Sequence, residues 1–227
     1  MSAVSLGRLG LITLTTVLLI ISLILCVVAL VTPAWQTVYL AEFQAEHQHG
    51  LWMDCTLNRR HVQGMNNDLQ CTYKFESAFY EGSDYSESVH AEEEQHKFHS
   101  WHGAVLTFIA ISLVSGTVGL CFVFCAACIR ICGIVANVLL LISTVCLATA
   151  LSVFFINSHK HEVRFVHGIT MTYEQSKGYS FYLGVASLIC LFISFLSSVP
   201  ATVLVFLHDR QQHRPNKTFP KDQPITV

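Results

Sequence analysis

Long apolar stretches almost without charge constrain the fold of this chain more than any other feature. Residues 9–40 and 182–207 contain no Asp, Glu, Lys or Arg, and residues 103–156 contain only Arg130. A helix of about 20 apolar residues crosses the hydrocarbon core of a bilayer, so the middle stretch is long enough for two crossings joined near Arg130. Charged residues make up 12% of the chain, against about 25% in soluble domains. The sequence therefore predicts a polytopic membrane protein, an all-α bundle of four transmembrane helices.

The direction of the four spans follows from the distribution of Lys and Arg in the short flanking segments. Bases concentrate on the side of the two termini, which we therefore expect to be cytoplasmic in a plasma-membrane protein. The apolar core that follows Arg8 is longer than the roughly 7 to 15 residues of a removed signal peptide, which favours a retained helix. The predicted segments are the cytoplasmic N-terminus 1–8, first span 9–35, outer loop 36–102, second span 103–128, cytoplasmic turn 129–132, third span 133–157, outer loop 158–177, fourth span 178–207 and cytoplasmic tail 208–227.

The interior of the predicted bundle offers packing residues instead of ionisable ones. Charges inside a membrane typically mark ion pathways or substrate sites, so their absence from these sequence stretches argues against a transporter. Asn137 is interpreted as an interhelical hydrogen-bonding residue, and small residues at helical spacing indicate close packing within the bundle or, alternatively, a lateral dimer seam. The small residues are Ser112 with Gly116, Ser115 with Gly119, and Gly184 with Ser187.

The first predicted outer loop contains two cysteines, Cys55 and Cys71. In an oxidising compartment an isolated pair has a single connectivity, so we expect a disulfide. Residues 38–43, 49–53 and 69–75 are rich in aromatic and branched types, which predicts a small extracellular antiparallel sheet. Trp35 and Trp52 are expected beneath this sheet or at the level of the lipid headgroups.

The order of these residues resembles the claudin superfamily, which includes claudins, peripheral myelin proteins and calcium-channel gamma subunits. The signature of that family is a tryptophan, then Gly-Leu-Trp, then two cysteines, and here it reads Trp35, Gly50-Leu51-Trp52, Cys55 and Cys71. The resemblance implies a four-helix bundle that carries an extracellular sheet. A wide gap between the cysteines, an acidic insertion at 81–94 and the lack of an arginine before the second span indicate a divergent claudin-like member.

The resemblance also implies a function without enzymatic chemistry. It favours cell–cell adhesion or a paracellular barrier or pore at cell junctions, with lateral self-association; the alternative is an auxiliary subunit that modulates a channel or receptor in the same membrane. Residues 42–97 hold eleven acids and four bases, so a pore lined by them should prefer cations. The other interpretation of this stretch is a solvated acidic loop.

The remaining motifs predict contacts and modifications. In the second outer loop, Phe165 and Tyr173 belong to an apolar set that either contacts a partner or caps the bundle. The tail ends in Ile225-Thr226-Val227 and suits a PDZ-type domain. Cysteines beside the cytoplasmic turn are candidates for S-palmitoylation: Cys125, Cys128 and Cys132.

No cofactor, metal site or nucleic-acid partner is predicted. His96, His99 and His102 share one face if the second helix extends outward, but no thiolate accompanies them. We interpret them as a solvated helix extension or, alternatively, as a pH-responsive surface. No basic patch suggests nucleic acid, and no nucleophile–base pair suggests catalysis.

Overall fold

The computed structural model describes residues 3–41, 45–58, 69–75, 98–126, 129–167 and 171–212. Four of its helices are long and apolar enough to cross a membrane, as the sequence predicts. A fifth helix is a single turn between the third and fourth long ones. The helices are α1 (Ala3–Val31), α2 (Ser100–Cys125), α3 (Arg130–Ser158), the short α4 (His161–Arg164) and α5 (Tyr179–Gln212).

The bundle consists of two closely packed helix pairs, α1 with α5 and α2 with α3, which meet mainly along α3 and α5. Each pair is joined by two serines that donate to each other's backbone. The Ser22 hydroxyl donates to the Ser187 carbonyl at 2.9 Å and Ser187 donates back at 2.8 Å. Ser112 and Ser143 repeat the arrangement at 2.9 and 2.8 Å. Such bonds satisfy hydroxyl groups that lipid cannot.

The predicted small-residue positions lie at helix contacts within the bundle. A Cβ atom on Gly116 would lie 3.0 Å from Leu23, and one on Gly184 would lie 3.0 Å from Leu151. These glycines therefore permit close intramolecular approach, which is the first of the two roles that the sequence left open. The Asn137 amide donates to Thr202 at 2.9 Å, which confirms the predicted interhelical hydrogen bond.

The helices end at positions that differ from the predicted spans for local reasons. The first helix ends at Val31, because Pro33 lacks an N–H group and disfavours the helical conformation of the residue before it. Trp35 therefore lies beyond the helix. The last helix continues through Pro200 to Gln212, past the predicted end at residue 207.

The segments between α1 and α2 and between α3 and α5 form two antiparallel sheets, which together we call the loop domain. The strands are β1 (Gln36–Leu40), β2 (Ala45–His49), β3 (Met53–Asn58), β4 (Leu69–Tyr73), β5 (Phe165–His167), β6 (Thr172–Glu174) and β7 (Ser176–Lys177). The larger sheet has the order β4-β3-β2-β1-β7, and β5 pairs with β6 in a separate hairpin. Because β7 comes from the second segment and pairs with β1 from the first, both segments share one sheet.

The predicted strand at 49–53 is wrong, because its centre is a turn. His49 ends β2 and Met53 begins β3. Between them the Gly50 N–H lies 3.0 Å from the Met53 carbonyl and also donates to the Asp54 carboxylate at 3.2 Å. These bonds close a tight connection, so the two strands that flank it pair as a hairpin.

Candidate functional site

The predicted disulfide joins the middle of the edge strand β4 to the middle of its neighbour β3. Cys55 on β3 lies directly opposite Cys71 on β4, and the two residues are bonded. The Cys55 side chain is buried, whereas Cys71 is exposed. The bond therefore fixes β4, the edge strand, to the interior of the loop domain.

Both signature tryptophans attach the loop domain to the end of α1. The Trp35 indole nitrogen donates to the Ala29 carbonyl at 2.8 Å, and the Trp52 indole nitrogen donates to the Leu30 carbonyl at 2.8 Å. These carbonyls belong to the last turn of the helix, which has no intrahelical partners for them. The tryptophans thus act as caps, Trp35 from just beyond the end of the helix and Trp52 from further along the first segment of the loop domain.

The ring of Trp35 also connects three helices. It is 1% exposed, and its ring centroid lies 4.8 Å from that of Phe154 on α3 and 6.4 Å from that of Phe181 on α5. Both pairs have the edge-to-face geometry that aromatic rings prefer. The position of the sheet relative to the bundle is therefore determined by a packed aromatic centre as well as by hydrogen bonds.

Two glycines allow backbone to approach backbone beneath the sheet. A Cβ on Gly50 would lie 2.5 Å from the Met53 carbonyl oxygen and 2.9 Å from the Pro33 Cα. A Cβ on Gly178 would lie 2.2 Å from the Ala34 carbonyl oxygen. The three signature residues 50–52 thus have separate roles: the glycine permits close contact, Leu51 is fully buried, and the tryptophan caps α1.

A buried polar cluster links the sheet to the start of α2. The Lys74 ammonium lies 3.3 Å from the Asp54 carboxylate and 3.4 Å from the His102 Nε2. His49 Nδ1 lies 3.5 Å from the same carboxylate. Burial lowers the pKa of Lys74, and the charge of Asp54 opposes that shift.

Sequence reasoning missed this polar cluster. The three residues Asp54, Lys74 and His102 are far apart in the sequence. A single lysine just after a predicted strand has the sequence pattern of an exposed lysine, so nothing marks Lys74 as buried. The predicted solvated helix extension is wrong for His102, because α2 begins at Ser100 and the His102 side chain is only 5% exposed. His99 precedes the helix, and His96 lies outside the described residues.

The second segment contributes less free surface than its sequence suggests. Tyr173 packs against a small core made by Val38, Leu40 and Val166, so its ring fastens the hairpin to the larger sheet. Phe165 is half-buried, with the Arg164 guanidinium 5.6 Å from its ring centroid. The predicted contact residues Phe165 and Tyr173 are thus engaged largely within the loop domain.

Some predicted sites stay predictions. Cys125 is exposed at the end of α2, where S-palmitoylation requires access, and Cys132 on α3 is half-buried. Cys128, Ile225 and Val227 lie outside the described residues. Within the described part of the chain, no three His, Cys, Asp or Glu side chains are grouped to hold a metal ion.

Comparison with known proteins identifies the family. A family model described as Clc-like matches residues 9–210, which spans the four long helices and the loop domain. The chain belongs to the Clc-like family. Two Clc-like relatives come from Caenorhabditis elegans: Clc-like protein 5 is 28% identical over 207 residues, which is 83% of this chain and 68% of the relative. Clc-like protein 2 is 28% identical over 193 residues, which is 83% of this chain and 73% of the relative.

The Clc-like match agrees with the signature residues and with the architecture. This Clc-like chain is a divergent claudin-like, multi-pass membrane protein, with four helices able to span a bilayer and a small antiparallel sheet. The positions that carried the resemblance are those with structural roles: the tryptophans cap α1, Gly50 allows a tight turn, and the cysteines are bonded.

Proposed function

We propose that this Clc-like protein acts in the plasma membrane at contacts between cells, in adhesion or as part of a paracellular barrier or pore. In this proposal the loop domain is extracellular and both termini are cytoplasmic. The observation that carries it is the pairing of β7 with β1. Through that pairing the two segments become one platform, which could contact a neighbouring or opposing molecule as a unit.

The attachment of the platform to the helices supports this role. Three sets of contacts hold the sheet at one orientation to the helix bundle. They are the tryptophan caps, the bond from the Gly178 N–H to the Trp35 carbonyl at 3.1 Å, and the contact of 3.4 Å between Lys74 and His102 on α2. A rigid surface loses little conformational entropy when it binds. Such pre-organisation suits repeated contacts between copies in a junction.

The loop domain carries exposed apolar side chains. β1 leaves the helix end at Gln36, and five residues of strand extend about 16 Å away from it. Tyr39, near the end of β1 that is remote from α1, is 50% exposed, and Met171, which immediately precedes β6, is 66% exposed. Exposed apolar groups outside the membrane spans suit protein contact.

The charge of the first segment supports a cation preference if the contact forms a pore. Residues 76–97 contain seven acids and one lysine, and they lie outside the described residues. A negatively charged lining concentrates cations and repels anions. The chain's own spans contain no Asp, Glu, Lys or Arg between residues 131 and 156 or between 182 and 207, which favours a path between molecules over one through the bundle.

The test is expression in an epithelial monolayer with the native junctional strands removed. We expect continuous belts of the protein at cell contacts and a permeability to sodium that exceeds that to chloride. A Tyr39→Ser and Met171→Ser double variant should reach the surface but lose the belts, whereas Gln70→Ser, an exposed polar position on β4, should retain them.

Other outcomes would contradict the proposal. Equal permeability of sodium and chloride would exclude the cation pore. A uniform surface distribution, together with co-purification of a channel or receptor from cells that make no contacts, would favour the auxiliary-subunit alternative.

A further inference from the structure

Lys177 holds its ammonium group over two aromatic rings at the end of the bundle that carries the loop domain. Its Nζ lies 4.1 Å from the ring centroid of Phe155 on α3 and 5.8 Å from that of Phe181 on α5. Both distances are within the range in which an aromatic face attracts a cation. The rings therefore form a floor that holds the ammonium between the two helices.

His159 further defines the position of this ammonium. His159 Nδ1 lies 2.8 Å from the Phe155 carbonyl oxygen, which can only accept, so Nδ1 carries a proton. The Lys177 Nζ lies 3.4 Å from Nδ1 and 3.3 Å from Nε2, so it faces the imidazole ring as a whole and His159 borders the ammonium. No oxygen atom of a described residue accepts a hydrogen bond from Lys177, so its N–H groups are available to an external acceptor.

No acid neutralises this charge among the residues that the structure describes. The nearby carboxylate of Glu174 accepts from Arg164 Nε at 2.8 Å, and Lys177 forms no salt bridge with a described residue. Burial, and secondly the charge of Arg164, lower the pKa of Lys177. An anion placed beside Lys177 would offset both effects.

The surroundings place Lys177 at the depth of lipid headgroups. Phe155 is 47% exposed and Tyr182 is 61% exposed, and both belong to helix segments able to span the membrane. Apolar side chains exposed at such positions are covered by acyl chains. Lys177 precedes the first residue of α5 by two positions, so its ammonium lies where the acyl-chain region meets the headgroups.

We propose that Lys177, with His159 beside it, binds the phosphate group of a phospholipid in the adjoining leaflet, with an acyl chain of that lipid lying against Phe155. The phosphate supplies the acceptor oxygens that the free N–H groups of Lys177 lack. The aromatic floor limits the movement of the lysine side chain and so makes this position more selective than an ordinary surface lysine. The bound lipid fills the outer end of the contact between α3 and α5.

Native mass spectrometry of the full chain in detergent tests this proposal. The probes are dioleoylphosphatidylglycerol, dioleoylphosphatidylcholine and the phosphate-free monogalactosyldiacylglycerol. We expect the protein to retain one molecule of phospholipid in preference to the galactolipid. In Lys177→Gln the apparent affinity for the phospholipid should fall about tenfold, the loss expected for a hydrogen-bonded charge. Lys177→Arg should preserve retention.

Lys160→Gln is the matched control, because Lys160 is an exposed lysine at the same end of the molecule with no ring contact described. Equal losses in Lys177→Gln and Lys160→Gln would overturn the proposal, as would equal retention of galactolipid and phospholipid. Displacement of the phospholipid by millimolar inorganic phosphate would instead indicate a site for free phosphate. Phe155→Leu keeps the lysine but removes part of the aromatic floor, so it should weaken phospholipid retention. This variant tests the proposal independently if Lys177→Gln does not fold.

Discussion

The indole nitrogen of Trp35 donates a hydrogen bond of 2.8 Å to the carbonyl oxygen of Ala29, six residues earlier in the chain. Since Ala29 lies in the last turn of α1, this tryptophan closes the helix that it follows. Its ring then packs between α3 and α5. A single side chain thus joins the end of one span to two others and to the first strand of the sheet.

Replacing Trp35 by Phe tests the cap. Phenylalanine retains most of the ring contacts but leaves the Ala29 carbonyl with only the long bond of 3.4 Å from the Thr32 hydroxyl, and a buried acceptor that loses its main donor costs about 1–3 kcal/mol. We expect the free energy of unfolding in detergent to fall by that amount. Trp101→Phe is the control, because the half-buried Trp101 packs near Phe154 at 6.0 Å without a hydrogen bond from its indole nitrogen among the described residues. Equal effects of the two substitutions would show that ring volume, and not the cap, is what matters.

The buried Lys74–Asp54 pair should show strong coupling. Lys74→Met leaves the Asp54 carboxylate buried without its cation, which costs about 3–5 kcal/mol of folding stability. Adding Asp54→Asn removes the charge but keeps an acceptor for the Gly50 N–H. We expect the double variant to recover most of the loss. Additive losses in a double-mutant cycle of thermal unfolding would contradict direct pairing.

The lowered pKa of Lys74 predicts a dependence of stability on pH. In the unfolded chain the lysine titrates near its ordinary value of about 10.4, whereas burial places its folded pKa below that value. Between the two values the unfolded state binds more protons, so stability rises with pH there. Below the folded pKa both states are protonated, and this group makes no contribution to the pH dependence of stability. The wild type should gain stability relative to the Lys74→Met and Asp54→Asn double variant as the pH rises through this alkaline window. A constant difference in unfolding temperature across the window would exclude the shift.

Gly178 should tolerate no side chain. A Cβ at this position would lie 2.2 Å from the Ala34 carbonyl oxygen, so Gly178→Ala must displace β7 from β1 and should cost about 1–3 kcal/mol. Gly103→Ala is the control, because its nearest contact would be an ordinary 3.6 Å from the Phe98 ring. Limited proteolysis of the second segment provides the measurement. Unchanged cleavage in Gly178→Ala would contradict the close approach.

Removing the disulfide should loosen the edge of the sheet. The bonded cysteines are separated by 16 residues, and closing a loop of that size stabilises a fold by about 3 kcal/mol. We expect the double substitution of Cys55 and Cys71 by alanine to lower stability by that amount, measured by thermal unfolding. Cys121→Ala, at an exposed free thiol, should have little effect. If reduction of the wild type leaves its unfolding temperature unchanged, the bond contributes nothing.

Much of this architecture is evident in the sequence, because the membrane imposes strict requirements on it. A chain that crosses hydrocarbon must satisfy its backbone within helices of sufficient length, so uncharged stretches predict the number of spans. The aromatic and branched segments of the first loop predict a sheet, and the isolated cysteine pair predicts its bond. The signature tryptophans and the Gly50-Leu51-Trp52 motif indicate the family by resemblance. Asn137 is similarly predictable, since an amide in a span needs a polar partner.

The roles of particular side chains were decided by contacts between distant parts of the chain. Lys74 pairs with Asp54 because β4 lies beside β3, and it lies next to His102 only because the sheet folds back onto α2. Strand β7 joins β1 only because α5, which follows β7, packs along α1. The sequence by itself determined four apolar spans and a disulfide-bonded sheet. Local composition and length decide whether a segment can cross a bilayer with its backbone hydrogen bonds satisfied. Only the tertiary structure decided which indole caps which carbonyl and which charges are buried together, because those energies depend on distances that no local pattern encodes.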